Sequence, residues 1–430
     1  MDLAYMAALP MEEFAQRRAK VFELMQEDSL FLVFSDIERR RNDGCDYPFR
    51  QDSYFWYLTG FNEPNSALLL RKQHGEQQAI IFVRPSDKLL EIWNGRRLGV
   101  DNAPQTLLVD TAYAIDEFVP QFKNLAQKQT ALYYAPKQQP WGDALLEQSA
   151  VEFLSVFNWK PMLGEMRLFK SENEIALMQQ AGQISAFGHI KAMQQTRPNR
   201  LEYEVESDIL HEFNRFGARY PSYNSIIAGG ENACILHYSE NDMPLRDGDL
   251  VLIDAGCEFA MYAGDITRTF PVNGQFTEAQ KAIYEIVLQA QKRAIELLVP
   301  GGSIAKANEE VIRIKTEGLV RLGILKGDVD ELIEQKAYRE FYMHGLGHWL
   351  GLDVHDVGEY GENRDRTLEP GMVLTVEPGL YLSKEADIPE QYKGIGIRIE
   401  DNLLITDYGN KNLTSAAPKE IADIEKLMAD

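Results

Sequence analysis

No stretch of this 430-residue chain approaches the ~20 consecutive apolar residues that a membrane-crossing helix needs. Cysteine is scarce as well. Cys45, Cys234 and Cys257 are the three present; they form no metal-binding spacing and, being odd in number, cannot all pair. This usage points to a reducing, cytoplasmic setting. Positive charge is short: 44 Lys and Arg face 66 Asp and Glu, for a net charge of −22. Such a surface argues against nucleic acid or an anionic membrane as a partner. The first ten residues carry no basic region and no clear cleavage site, so no signal peptide is expected. Low-complexity segments and short-period repeats are also missing.

What is present is enough for large cores and for two or more domains, with 45% hydrophobic residues. The most informative stretch runs from Val251 to Phe270. Asp254 ends the apolar run Leu250 to Ile253, which reads as a buried strand. Asp265 follows eleven residues later, across a glycine-containing turn and just ahead of a Thr/Arg/Phe strand. A hairpin of that length can bring both acids to the same end of a sheet. Further on come His348 in His-Gly-Leu-Gly-His, Glu377 after Val-Leu-Thr-Val, and Glu400 after Gly-Ile-Arg-Ile. A single Asp or Glu is usually a surface charge. Acids set among residues that should be buried need compensation, because an unpaired buried charge is very costly. Basic side chains nearby are few, Arg268 and Arg398 apart. Four carboxylates and one imidazole on separate strand-like segments form a hard-ligand set, suited to a pair of divalent cations that activate a bridging water.

The chain divides near residue 170. The first part, 1–170, mixes strands at Ser29 to Phe34, Ala67 to Leu70 and Ala79 to Val83 with helical stretches, a smaller α/β domain. A linker is expected over 159–171. Ile175, Met178, Ala181, Ile184 and Phe187 then recur at three-residue steps and predict a helix over 172–193. Helices are also expected over 278–298 and 304–322, among mostly antiparallel strands. The class of the 171–430 part is α+β.

These motifs carry a resemblance. The stretches around His237-Tyr-Ser-Glu-Asn, Asp254-Ala-Gly, Gly264-Asp-Ile-Thr-Arg-Thr-Phe-Pro, His344 to Asp356, Glu369 to Tyr381 and Gly396 to Asp401 resemble the pita-bread metallopeptidase family. Among its branches they are most similar to bacterial aminopeptidase P. Tyr47 to Pro64 and Glu91 to Gly99 are similar to the N-terminal domain of that branch, so the resemblance covers nearly the whole chain.

It implies a pita-bread catalytic domain and a dinuclear metal site. Asp265 and Glu400 would bridge two Mn²⁺ ions, with Co²⁺ or Zn²⁺ as alternatives. Asp254 would hold one ion, and His348 with Glu377 the other. Glu377 would also take the proton of the attacking water. His344, His355 and His237 would bond the substrate and the tetrahedral intermediate. Tyr381 and Trp93 would line the pocket, and Arg364 would lie near it. Arg398 would pair with an acid of the N-terminal domain. The branch carries an acid three residues before the Tyr of Tyr-Pro-Phe-Arg-Gln; here that position is Gly44, and Asp43 would take the role by a one-residue shift. The implied substrates are peptides with proline at the second position, and the implied assembly is a homotetramer. The remaining histidines, His74, His189 and His211, read as structural or exposed. Prolidase, acting on Xaa-Pro dipeptides, is the nearest rival; a non-catalytic peptide-binding module on the same fold is another.

Overall fold

The strand Ser29–Phe34 is buried along its whole length because it lies inside a six-stranded sheet. Its neighbours are Ala67–Gln73, antiparallel, and Ala131–Tyr133, parallel. Glu76–Val83 and then Thr111–Ala114 extend the first side; Ser155–Phe157 closes the other. A strand covered on both faces reads as a continuous apolar run, which is why Ser-Leu-Phe-Leu-Val-Phe shows no alternation. Leu30, Leu32, Phe34, Leu69, Ile80 and Phe82 pack on Phe118 and Phe122 to form the core on one face.

This computed structural model describes residues 8–429, which fall into two compact units: Ala8–Leu163 and the residues from Gly164 onward. The linker expected over 159–171 is instead mostly a helix, Lys160–Leu168. Pro161 in its first turn does not prevent this. Proline at the second helical position removes only an N–H that no helical carbonyl would have received, and Leu163, Arg167 and Leu168 are buried.

The second unit is α+β. The helix Glu172–Gln195 opens with a capping box, Ser171 accepting from the Glu174 amide while the Glu174 carboxylate accepts from the Ser171 amide. The helices Glu278–Leu297 and Ile304–Arg321 occupy the expected places. Three antiparallel strands, Ile226–Gly229, Leu250–Asp254 and Thr267–Pro271, form one sheet. Val373–Val376, Asp401–Thr406 and Gly409–Asn412 form a second; Gly379–Leu382 and Ile395–Arg398 form a hairpin.

A buried ion pair ties these pieces together. Arg268 and Asp401 are both fully buried, with Nη2 at 2.7 Å from Oδ1. Arg268 also donates to the Glu400 carbonyl at 2.6 Å and to the Ala417 carbonyl at 3.0 Å. Asp401 accepts from Gln291, Thr414 and Lys419. Arg268 beside it, followed by Lys419, holds the Asp401 carboxyl well below the usual carboxylate range despite its burial. Asp401→Ala would leave the Arg268 charge buried without its carboxylate. It is expected to cost about 3–5 kcal/mol in unfolding free energy, measured by denaturant titration; a loss below about 1 kcal/mol would contradict this account.

Candidate active site

The acids meet because strand pairing brings their segments together. Asp254, the last residue of its strand, pairs with Thr267, so Asp265 lies two residues beyond that partner at the same sheet end. Glu377 directly follows Val373–Val376, and Glu400 sits between Ile395–Arg398 and Asp401–Thr406. His348 is not on a strand. Its segment runs along the edge of Val373–Val376, with Thr375 N donating to the His348 carbonyl at 2.9 Å and Glu377 N to the Leu346 carbonyl at 2.8 Å. Gly347 makes this approach possible, since a Cβ there would collide with the Thr375 carbonyl.

Ligand atoms of Asp265, His348 and Glu400 lie within 4.8 Å of one another. His348 Nε2 is 3.2 Å from Asp265 Oδ2 and 3.7 Å from Glu377 Oε1. Asp254 lies beside this group, its oxygens accepting from Tyr223 at 2.5 Å and from Arg398 at 2.7 Å. The crowding shows in the proton affinities. Burial, then repulsion from Asp265, Glu377 and Asp254, pushes the Glu400 carboxyl well above its usual range. Burial pushes Glu377 up to about 7, against attraction from His348 and Arg398. Burial also raises Asp254. His348 is raised to about 9 because its bond to Asp265 and the neighbouring acids outweigh burial. Oxygen and imidazole donors massed around too little positive charge fit divalent cations.

A cleft of about 980 Å³ opens onto these groups. His237 and His355 line it, and both are exposed. The His355 ring packs edge-on against that of His348, with centroids 4.3 Å apart. His344 also lines the cleft, but both its nitrogens are engaged. Arg398 donates to the Tyr381 hydroxyl at 2.9 Å, so that hydroxyl gives its own proton to His344 Nε2 at 2.8 Å; Nδ1–H then donates to the Gly345 carbonyl at 2.8 Å. Burial and the Arg398 charge depress the ring to about 3, so it is neutral.

One placement differs from expectation. Tyr381 does not line the cleft; it is 2% exposed and supports His344 and Arg398 from beneath. The Arg398 guanidinium is buried, and its partners within the second unit are Asp254, Tyr381 and Thr267. Arg364 lines the cleft, bonded to the Gly347 carbonyl and stacked on Tyr360 at 4.2 Å. Trp93, on the helix Lys88–Asn94 of the first unit, is 85% exposed. Asp43 is exposed in the turn between Arg40–Asn42 and Cys45–Asp46, 3.5 Å from Arg40. Gly44 there has φ of +87°, a conformation that disfavours an acid at this position. His189 is buried, with Nε2 2.9 Å from the Ala255 carbonyl.

Three polar neighbours of the candidate ligands escaped the sequence reading. Thr267 donates to Glu400 at 2.7 Å, and Thr375 lies 3.5 Å from Glu377 while accepting from the His348 amide at 3.1 Å. Each stands two residues from a candidate ligand that borders its strand, so strand alternation continued past the strand end could have found both. Tyr223, the donor to Asp254, had no such signal.

Comparison with known proteins agrees with this geometry. The model of metallopeptidase family M24 matches residues 176–407, and that of the aminopeptidase P N-terminal domain matches 14–133. The chain belongs to metallopeptidase family M24. This M24 chain is 72% identical over 428 residues to a Haemophilus influenzae Xaa-Pro aminopeptidase, covering 100% of both, and 52% identical to the Escherichia coli Xaa-Pro aminopeptidase, covering 98% and 99%. It also matches a solved substrate complex of an E. coli aminopeptidase P glutamate-to-alanine variant, with TM-score 0.97, 51% identity and coverage of 98% and 99%. A zinc-substituted product complex of that enzyme matches with TM-score 0.97, 52% identity and the same coverage.

The crowding makes a prediction about pH. In the metal-free protein Glu377 keeps its proton up to about pH 7, against 4.5 when exposed. A raised acid costs stability as pH climbs through that window. His348 stabilises fully below 6.5 and loses its contribution as pH rises through about 9. Both effects weaken the metal-free fold with rising pH, and a bound cation replaces the protons. The gain in Tm on adding Mn²⁺ to chelator-treated protein should therefore grow between about pH 5.5 and 8.5. A constant or shrinking gain would contradict the assignment of these residues to a cation site.

Proposed function

We infer that this chain is a metal-dependent exopeptidase that hydrolyses the bond between an N-terminal residue and a following proline. The observation that carries this is full-length similarity to Xaa-Pro aminopeptidases together with the carboxylate–imidazole cluster at the floor of the cleft. Asp265 and Glu400 would be shared by two divalent ions, with Asp254 completing one and His348 and Glu377 the other. The ions are assigned as Mn²⁺, with Co²⁺ or Zn²⁺ as alternatives. When bound, such ions polarise the scissile carbonyl and acidify a water held between them.

The chain's own residues handle protons and position. Glu377 accepts the proton of the attacking water and passes it to the leaving imide nitrogen. That nitrogen must be protonated to depart, and a carboxylate at the metal edge is placed for the transfer. His237 and His355 face the cleft and bond the substrate and the tetrahedral intermediate. Arg398 and Tyr381 hold Asp254 and His344. We assign the chain to the cytoplasm and to a homotetramer, consistent with its cysteine usage and family. No helix among the described residues is long and apolar enough to cross a membrane.

Three outcomes are expected. Chelation abolishes cleavage and Mn²⁺ restores it with about two ions per chain; full activity in metal-stripped protein ends this reading. Glu377→Gln retains the fold and loses at least ~10²-fold in rate, so near-normal turnover would remove Glu377 from its role. A length series settles the specificity: Xaa-Pro-Yaa and longer peptides are cut, with little action on Xaa-Ala-Yaa. Xaa-Pro dipeptides cut well while longer peptides stay inert would assign a prolidase.

A further inference from the structure

His355 stands on a segment, 349–360, with no regular strand or helix, yet its ring is set 4.3 Å from that of His348. A loop without backbone ladders must be held by something else. Beneath it lies a buried ion cluster. Arg167, on the helix Lys160–Leu168, bonds both Asp353, at 2.9 Å, and Asp356, through one Nη. Lys170 Nζ is 3.3 Å from the other Asp356 oxygen. The side chains of Arg167, Lys170 and Asp356 are each 1% exposed. The two cation-bound acids lie either side of His355, at positions 353 and 356. Asp356 N also donates to the Trp349 carbonyl at 2.9 Å, Ala263 N donates to the Gly351 carbonyl at 2.8 Å, and Gly351 has no Cβ to displace the Asp356 carboxylate. One side chain thus clamps both ends of the turn that presents His355.

We propose that Arg167, Lys170 and Asp356 are positioning residues for the peptidase reaction, acting through His355 by fixing the turn on which it stands. The cations come from 167 and 170, far in sequence from the cleft, and neither lines it. Asp356 is held on both oxygens by cations, so its carboxylate cannot swing. The geometry of His355 toward a substrate therefore depends on Arg167, Lys170 and Asp356, none of which lines the cleft. A misplacement of about 1 Å in a group that bonds the intermediate is enough to slow turnover severely.

The inference rests on the peptidase reading above, so cleavage of Xaa-Pro-Yaa by the unaltered chain is measured first, and its absence would sink that reading instead. The test is a double-mutant cycle on the metal-loaded enzyme. Asp356→Asn is expected to lower kcat about tenfold or more, with a smaller change in KM and unchanged metal content. In a His355→Ala background the same substitution should lower kcat less than about twofold, because the group it positions is gone. Arg167→Lys keeps the charge but loses the two-acid reach, and should show the same dependence on His355 at smaller size. Should Asp356→Asn not fold, Arg167→Lys and Lys170→Met carry the cycle. Equal losses with and without His355, or no loss in any folded variant, would overturn the proposal, since a merely structural role is additive.

Discussion

Like charges held together at low dielectric dominate this molecule. Asp254, Asp265, Glu377 and Glu400 arrive from four separate segments, and at one sheet end their mutual repulsion and desolvation push protons back onto Glu377 and Glu400. An isolated buried carboxylate would avoid this cost by lying on the surface. These cannot, because each borders or ends a strand whose residues are buried in the core. The fold therefore contains a standing demand for positive charge. Arg398 meets part of it at Asp254, and His348 meets part at Asp265. The remainder is what a divalent site requires.

The surrounding structure answers that demand in layers. Behind Glu400, the neighbouring Asp401 is neutralised by Arg268 and Lys419. Adjacent residues at the start of one strand so carry opposite fates: Asp401, its first residue, is locked as an anion inside the protein, and Glu400, just before it, is left short of charge in the cleft. Pleating sends successive side chains to opposite faces, which makes this division possible within a single step of the chain. Thr267 and Thr375 act as neutral donors and acceptors around Glu400, Glu377 and His348, adding orientation without adding charge.

Much of this was legible in the sequence. The helix 172–195 stands where apolar periodicity placed it, and the strand Ser29–Phe34 and the helices 278–297 and 304–321 stand where they were expected. The acids were legible for the same reason, as charges in apolar company. What was not legible depends on through-space partners. Nothing in the order of residues says that Arg398 turns back to Asp254, 144 positions away, or that Tyr381 is roofed by His344 instead of open to the cleft. The helix Lys160–Leu168 falls where a linker was expected; Pro161, at its second position, is compatible with a helix start. His348 was read as strand-borne, and it is instead stitched to a strand edge through glycines that a strand would not favour.

The hydrogen-bond directions divide the labour among the histidines. A guanidinium can only donate, so the chain from Arg398 through Tyr381 to His344 and the Gly345 carbonyl has one consistent proton arrangement. In it His344 is neutral with both nitrogens spoken for, 3.7 Å from Glu377. Such a ring is fixed in place and adds no charge beside the acids. It can take on a substrate only by surrendering Tyr381 or Gly345, whereas no described residue bonds the ring nitrogens of His237 and His355 across the cleft. The proton transfer proposed for Glu377 fits this division, since in the metal-free protein burial raises that carboxyl to about 7. The cleft thus has one wall locked by hydrogen bonds and another whose imidazoles remain available. The locked ring adds no charge to the cluster, and the available rings are the ones proposed to meet the peptide.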